Sequence, residues 1–105
     1  MTDAPQSPDV VDVPQESRFV YRTADAVAEL DYRLNGSRFI LIHTEVPDAL
    51  SGHGVGGRLV RAALDRAVRD GLTVVPWCPF SRHWLQEHPD EAARVTLDLE
   101  PRSTP

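Results

Sequence analysis

The feature that most constrains this chain is a glycine-rich loop, Ser51 to Gly57, between an apolar strand-like segment and a helix-like one. Backbone N–H groups at a helix N-terminus converge on anions, and glycines let a ligand approach the backbone closely. Residues 55–70 repeat apolar side chains every third or fourth position, and Gly71 marks the end of this helix. A strand, a glycine loop and an amphipathic helix together predict an anion-binding α/β unit.

Two other classes of glycine-loop protein are excluded by what surrounds the loop. A Rossmann domain needs alternating βαβ units with an acidic residue at the end of the second strand, and a Walker loop ends in Gly-Lys-Ser/Thr. The sequence has neither pattern. On the glycines alone, a flexible loop without a ligand remains the alternative.

The residues before the loop have the pattern of an antiparallel meander. Residues 18–22 are aromatic and β-branched, and residues 26–34 alternate apolar with polar side chains. An Asn-Gly pair follows, which is a strong hairpin signal, and residues 38–46 supply the returning strand. We therefore predict three antiparallel strands, the last of which ends at Pro47.

The residues after the helix predict a parallel strand and a second helix. Residues 72–75 are short, apolar and β-branched, as expected for a buried strand parallel to the third one after a helical crossover. A short helix is predicted from about Ser81 to Glu87, and residues 91–100 fit either a helical turn or an edge strand. The predicted fold class is α/β (α+β) with a mixed antiparallel and parallel sheet.

The termini and the charge pattern limit the other possibilities. Residues 1–17 contain three prolines and no periodicity, so we predict a disordered tail, a domain over residues 18–100 and a second tail at 101–105. Four of the 16 acidic residues lie in the first tail and the remainder is nearly neutral, so no nucleic-acid partner is expected. No apolar run approaches the roughly 20 residues that span a bilayer, and no signal-peptide pattern or cysteine pair is present, which favours a cytoplasmic protein without a membrane partner.

Three motifs lie in or beside the predicted strands and loop: His-Thr-Glu-Val-Pro at 43–47, the Gly-x-Gly-x-Gly of the loop, and Val-Pro-Trp-Cys-Pro at 75–79. Together they resemble compact single-domain members of the GNAT superfamily of N-acetyltransferases. The resemblance covers about residues 18–90 and implies a trimmed GNAT fold that binds acetyl-CoA. It also implies transfer of an acetyl group to a primary amine, such as a peptide or protein lysine.

The same resemblance assigns the cofactor site. The residues expected to cradle the pyrophosphate are Ser51, Gly52, His53, Gly54, Val55, Gly56 and Gly57. Glu45 and Val46 would present backbone groups to the pantetheine arm, between strands that splay apart. Gly54 and Gly56 match the end of the family pattern Gln/Arg-x-x-Gly-x-Gly/Ala, whereas Ser51 replaces its Gln or Arg and removes one phosphate contact.

Three side chains are catalytic candidates. A cysteine at the place of Cys78 lies near the thioester in the resembling proteins, so Cys78 is either an acyl-accepting or acyl-orienting thiol or a small buried hydrophobe. A nucleophilic thiol would need a base, for which His43 and His83 are candidates. Glu45 and His43 share one face of a strand and could take the amine proton; a solvated carboxylate and a core imidazole are the alternatives.

The spacing of residues along the chain bears on two questions: whether a metal site is present and whether the acceptor site is complete. His83 and His88 are five residues apart, hence about 140° apart around a helix, and no cysteine pair is present, so no metal is expected. Only a few residues separate Tyr21 from Ala26, where larger members of the resembling family carry helices that shape the acceptor site. A CoA-binding interaction module without efficient catalysis is therefore the alternative function.

Overall fold

A mixed sheet with strands in the order β1-β2-β3-β4-β5-β6 organises the computed structural model, which describes residues 10–99. The strands are β1 (Val10–Val13), β2 (Arg18–Arg22), β3 (Val27–Asn35), β4 (Arg38–Glu45), β5 (Thr73–Pro76) and β6 (Thr96–Leu97). The helices are α1 (Val55–Asp70), α2 (Pro79–Glu87) and α3 (Pro89–Ala92). Strands β1 to β4 are antiparallel, whereas β5 and β6 run parallel to their neighbours, which confirms the predicted fold class.

The predicted meander is present, with one irregularity that the sequence did not indicate. Ala28, Leu30 and Tyr32 are buried on one face of β3, as their alternation predicts. In the pairing with β4, Asp31 lies opposite His43 and Tyr32 opposite Leu41, so β4 contains one extra residue at this point. Such a bulge bends a strand and re-aims the side chains beyond it. The bulge lies next to the last residues of β4, His43 to Glu45, which belong to the candidate site.

The prediction of a disordered tail up to residue 17 is wrong for the part that the structure describes. Residues 10–13 form β1, which pairs with β2, and the domain therefore begins at or before Val10. The reason lies in Asp12, whose carboxylate accepts a hydrogen bond from the Tyr32 hydroxyl at 2.6 Å and another from Arg66 at 2.9 Å. The sequence alone places Asp12 in a solvated tail, but its carboxylate binds two side chains that are distant along the chain. Residues 1–9 lie outside the described part.

Helix α1 joins the antiparallel half of the sheet to the parallel half. Leu59, Ala63 and Leu64 are fully buried against the sheet, and Gly71 ends the helix with a φ of 68°, a left-handed conformation that favours glycine. The chain then enters β5 parallel to β4, as predicted for a helical crossover. Trp84 and Leu85 of α2 belong to the same core cluster as α1, so both helices pack on one face of the sheet.

Residues 91–99 contain both of the alternatives that the sequence left open. The single turn α3 ends at Ala92, and the two-residue strand β6 pairs with β5. Hydrogen bonds from Arg94 and Arg61 hold the pKa of Glu91 below its ordinary range, and the contact with Arg61 ties this segment to α1. Residue 100 lies outside the described part. Among residues 10–99, every helix is too short or too polar to cross a bilayer.

Candidate active site

The site is built where β4 and β5 separate. The two strands pair only from Arg38 and Thr73 as far as Leu41 and Pro76, whereas β4 continues to Glu45. Proline has no N–H for the ladder, and the next contact is the Cys78 N–H, which donates to the Leu41 carbonyl at 2.9 Å as the chain turns into α2. The end of β4 therefore leaves β5 and faces the first turn of α2. We call this place the junction, bounded by residues 42–45 and 78–81.

The glycine loop runs from the end of β4 to the N-terminus of α1. Gly52 and Gly54 have φ values of 82° and 74°, which other residues rarely adopt, and added side chains there would meet open space. Gly54 caps α1 without any side-chain hydrogen bond, and its carbonyl accepts from the Arg58 N–H at 3.1 Å. The N–H groups of Val55, Gly56 and Gly57, which precede Arg58 in the helix, therefore have no hydrogen-bond acceptor within the helix. This is the arrangement that anion binding at a helix N-terminus requires.

Gly56 and Gly57 differ from the other two glycines in what the absence of a side chain allows. A Cβ on Gly56 would lie 2.5 Å from the Phe80 ring, and a Cβ on Gly57 would lie 2.7 Å from Trp84 Nε1. Both positions are glycine because α2 packs against the first turn of α1. Phosphate approach is the sequence-based expectation for all four glycines, and the structure adds a packing role for these two.

The remaining predicted cofactor residues are distributed around the loop. Ser51 and His53 are exposed, whereas Val55 is buried and Val46 is half-buried against the core. Ser51 and His53 therefore face solvent, whereas Val46 and Val55 pack with the core. The exposed position of Ser51 is consistent with its place at the start of the family loop pattern.

Cys78 lies at the junction, and its thiol is paired with a residue that the sequence analysis did not single out. The residue is 2% exposed, and its Sγ lies 3.1 Å from Thr44 Oγ1. Within residues 10–99 neither His43 nor His83 forms a hydrogen bond with Cys78, so the suggested histidine base is not beside the thiol. No local sequence pattern marks Thr44, because its contact joins residues 34 positions apart.

His43 and Glu45 occupy the same face at the end of β4, as the alternation predicts. Their side chains are 56% and 63% exposed, and His43 Nε2 lies 3.1 Å from Glu45 Oε1. The alternative of a core imidazole for His43 is therefore wrong. An exposed carboxylate beside an imidazole at the end of β4 can accept a proton from a molecule that approaches from solvent.

The part of the chain at residues 10–99 contains no group of three or more His, Cys, Asp or Glu side chains that could hold a metal ion.

Comparisons with known proteins agree with this geometry. The model of the GCN5-related N-acetyl-transferase family matches residues 18–95. Protein NATD1 from Homo sapiens and from Mus musculus is 40% identical over 63 residues, or 59% of this chain. Those residues are 56% of the human and 57% of the mouse protein, so the match spans little more than half the length of these relatives.

A solved structure extends the comparison to nearly the whole fold. The solution NMR structure of a GCN5-like protein from Staphylococcus aureus is similar with a TM-score of 0.68 and 28% sequence identity. The similarity covers 90% of this chain and 93% of that one. The family match includes β2 to α3, the glycine loop and the junction. This chain belongs to the GCN5-related N-acetyl-transferase (GNAT) family.

Proposed function

We propose that this protein uses acetyl-CoA to acetylate a primary amine, with a peptide or protein lysine as the favoured acceptor. The observation that carries the proposal is the separation of β4 from β5 between the glycine loop and Cys78. Among residues 10–99, no strand pairs with residues 42–45 on the β5 side, where an extended ligand arm can hydrogen-bond to the backbone.

The residues around this edge fit the chemistry of CoA from one end to the other. Unused N–H groups at the start of α1, together with the left-handed Gly52 and Gly54, suit the negative charge of a pyrophosphate. The backbone of Glu45 and Val46 suits the amides of the pantetheine arm. The sulfur end would then lie at the junction, beside Thr44 and Cys78.

Proton removal is the step that the exposed pair at the end of β4 would perform. An ammonium group must lose a proton before its nitrogen can attack the thioester carbonyl. Glu45 accepts that proton directly or through His43, which lies within hydrogen-bonding distance of it. Formation of the C–N bond and cleavage of the C–S bond then leave the electron pair on sulfur.

Cys78 fits an orienting role in this reaction better than a nucleophilic one. Only the thiolate is a strong nucleophile, and a thiolate needs a base or a positive charge beside it. The partner seen is the neutral hydroxyl of Thr44. Direct attack by the amine requires no acyl-cysteine intermediate, so the Thr44–Cys78 contact would shape the pocket for the thioester.

The connection between β2 and β3 supports an extended acceptor. It is a tight turn in which the Thr23 hydroxyl accepts hydrogen bonds from the N–H groups of Asp25 and Ala26. No helix lies between these two strands in the described chain. An acceptor site without a covering helix suits a flexible peptide segment better than a small molecule that must be enclosed.

A CoA-binding module without efficient transfer is the second candidate. It is favoured by Ser51, which stands where the family pattern has Gln or Arg, and by the missing covering helix. Both features weaken binding of one substrate without altering the fold. The two candidates share the cofactor site and differ only in turnover.

One experiment separates these candidates. Calorimetric titration with acetyl-CoA, CoA and dephospho-CoA tests the cofactor site, and incubation with acetyl-CoA and a lysine-containing peptide library, followed by mass spectrometry, tests transfer. Glu45→Gln, compared with the control Asp90→Asn at an exposed position, separates enzymatic from spontaneous acetylation. Binding with transfer that depends on Glu45 supports the enzyme. Binding without transfer supports the module, and an absence of binding contradicts both.

A further inference from the structure

Within residues 10–99, helices α1 and α2 cover only one face of the sheet, the face that carries Leu30. Side chains alternate along a strand, so Glu29 and Asp31 of β3 lie on the opposite face. Glu45 of β4 lies directly opposite Glu29. His43 lies opposite Asp31, and cross-strand partners share a face. The exposed pair proposed to remove the amine proton therefore lies on the uncovered face, which we call the open face.

The part of the open face beside Glu45 carries an excess of negative charge. Arg18 of β2 lies between three carboxylates, at 3.8 Å from that of Glu16, 2.7 Å from that of Glu29 and 3.7 Å from that of Asp31. Glu45 adds a fourth carboxylate opposite Glu29. One guanidinium thus stands among four acids, and the remaining negative charge can attract a cation from solvent.

The other arginines of the open face lie away from this group. Arg22 and Arg33 pair with apolar residues in neighbouring rows of the sheet. Arg38, at the other end of β4, forms an ion pair with Asp98 at 3.1 Å. The negative charge is therefore local to the rows of the sheet that end at Glu45.

The pair Glu29 and Glu45 is unfavourable for the fold by itself. Like charges directly opposite each other on antiparallel strands repel. Arg18 offsets the charge of Glu29 at 2.7 Å, whereas the partner of Glu45 is His43, which is charged only when protonated. Local arrangements that cost stability are typical of functional sites. A bound ammonium or guanidinium group would relieve this repulsion.

The basic residues of the chain point to lysine as the acceptor. The sequence contains eleven arginines and no lysine. The guanidinium group keeps its proton in proteins, so arginine offers no nucleophilic nitrogen for acylation. A lysine on the open face would itself be a potential acceptor beside Glu45. The composition therefore agrees with an exposed acceptor site for lysine on this face.

We propose that the acceptor is a peptide lysine with a second cationic residue two positions away, and that Asp31 binds this second cation. The inference rests on the proposed function and names its substrate class. Side chains two residues apart in an extended peptide project to the same side, about 7 Å from each other. Glu45 and Asp31 are diagonal neighbours across β4 and β3, which are about 7 Å apart in such a sheet. The lysine then lies at Glu45 while the second cation lies at Asp31.

Asp31 is better suited to this contact than Glu29. Glu29 accepts a hydrogen bond from Arg18 at 2.7 Å, whereas the ion pair of Asp31 with Arg18 spans 3.7 Å, which is longer than a hydrogen bond. The Asp31 side chain is one-third exposed. The second cation takes no part in bond making: the lysine proton goes to Glu45, the C–N bond forms and the C–S bond breaks, as in the proposed function.

Two peptides of identical composition test this spacing. Both have blocked termini, a single central lysine and two arginines. The first peptide has its arginines two residues before and after the lysine, and the second has them immediately before and after it. Steady-state kinetics with acetyl-CoA should give a kcat/KM about threefold to fivefold higher for the first peptide, as expected of one exposed ion pair. The difference should shrink as salt is added.

Variants of Asp31 assign the preference to this residue. Asp31→Asn should remove the preference and leave kcat/KM unchanged for a peptide with alanines around the lysine. Asp90→Asn, at an exposed position of α3, is the matched control and should keep the preference. Thermal unfolding of each variant shows whether the fold is retained. Asp31→Glu, which preserves the charge, should keep part of the preference and remains informative where the asparagine variant is unstable.

A chain without lysine allows a second measurement that needs no peptide. Val27 is exposed on the open face, two residues before Glu29 and diagonal to Glu45, whereas Val68 is exposed on α1. Val27→Lys should be acetylated by acetyl-CoA faster than Val68→Lys. Adding Glu45→Gln should abolish the difference. Mass spectrometry of proteolytic fragments locates the modified residue, because the introduced lysine is the only one in the sequence.

The outcomes separate this inference from the proposed function. A wild-type protein that acetylates no lysine peptide overturns both. Transfer at equal kcat/KM to the two arginine peptides, or a preference that persists in Asp31→Asn, overturns the role of Asp31 and leaves the proposed function in place. Equal acetylation of Val27→Lys and Val68→Lys overturns the placement of the acceptor on the open face.

Discussion

Thr44 Oγ1 lies 3.1 Å from Cys78 Sγ, and this contact joins the end of β4 to the first turn of α2 where β4 and β5 separate. The two residues are distant in sequence but share the place where the proposed function puts the thioester. The contact is half-buried and links groups that could each donate. It therefore determines how the thiol is oriented, and it leads to the first prediction.

Thr44→Val should reduce acetyl transfer by about three- to tenfold, because it removes one neutral hydrogen bond worth about 1 kcal/mol while keeping the side-chain shape. Thr44→Ser keeps the hydroxyl and should retain most of the activity. Steady-state kinetics of both variants with acetyl-CoA check the prediction. Equal kinetics for Thr44→Val and the wild type would show that the orientation of Cys78 does not matter for turnover.

Cys78 should not become acetylated when the protein is mixed with acetyl-CoA alone. Its thiol has a hydroxyl partner and no hydrogen-bonded histidine within the described chain, so no neighbouring base activates it as a nucleophile. Intact-protein mass spectrometry should show no increase of about 42 daltons. A stoichiometric adduct that disappears in Cys78→Ala would instead establish a double-displacement mechanism.

Asp12→Ala should lower the free energy of unfolding by about 2 kcal/mol, since it removes charge-assisted hydrogen bonds from Tyr32 and Arg66. The Arg66 side chain is largely buried, so its lost partner is only partly replaced by water. Chemical denaturation of Asp12→Ala and of the control Asp90→Ala measures the difference. A truncation that begins at Arg18 should be destabilised at least as much. Full stability in both variants would mean that β1 is dispensable.

Alkaline pH should destabilise the protein through Tyr32. Burial, reinforced by the hydrogen bond to Asp12, raises the pKa of Tyr32 from 10.0 to about 12. Between these values the unfolded chain has lost the phenol proton while the folded chain keeps it, so stability is full below pH 10 and declines as the pH rises toward about 12. Denaturation across this range should show the decline in the wild type and a smaller one in Tyr32→Phe. Tyr21→Phe, which should behave as the wild type does, is the control.

Gly56→Ala should destabilise the protein because its Cβ would lie 2.5 Å from the Phe80 ring. Phe80 is 41% exposed and its ring can turn aside, so we expect a cost of about 1 kcal/mol, the lower end for an overpacked site. Adding Phe80→Ala removes the obstacle, so the double variant should recover part of the loss in a double-mutant cycle. Gly54→Ala should also destabilise, through its φ of 74°, but without any rescue by Phe80→Ala. Equal rescue of both glycine variants would contradict the assignment.

Much of the fold was predictable because it depends on local patterns. The alternation in β3, the helical period of α1, the glycine at its end and the proline that closes β5 are properties of neighbouring residues. The family motifs lie in these segments, so the glycine loop and Cys78 could also be identified from sequence. The shared face of His43 and Glu45 follows from the period of a strand.

Tertiary structure alone decided the features whose partners are remote along the chain. From the sequence, Asp12 belongs to a tail, and only the structure shows its hydrogen bonds to Tyr32 and Arg66. No sequence pattern marks Thr44, and only the structure shows its contact with Cys78. The burial of the Ser81 hydroxyl without a hydrogen-bond partner among residues 10–99 is likewise visible only in the structure. A single sequence contains no signal for such pairs, because hydrogen bonding and burial depend on the relative placement of whole elements. The local periodicity of this sequence therefore determined its strands and helices, whereas the packing of those elements determined which side chains meet at the junction.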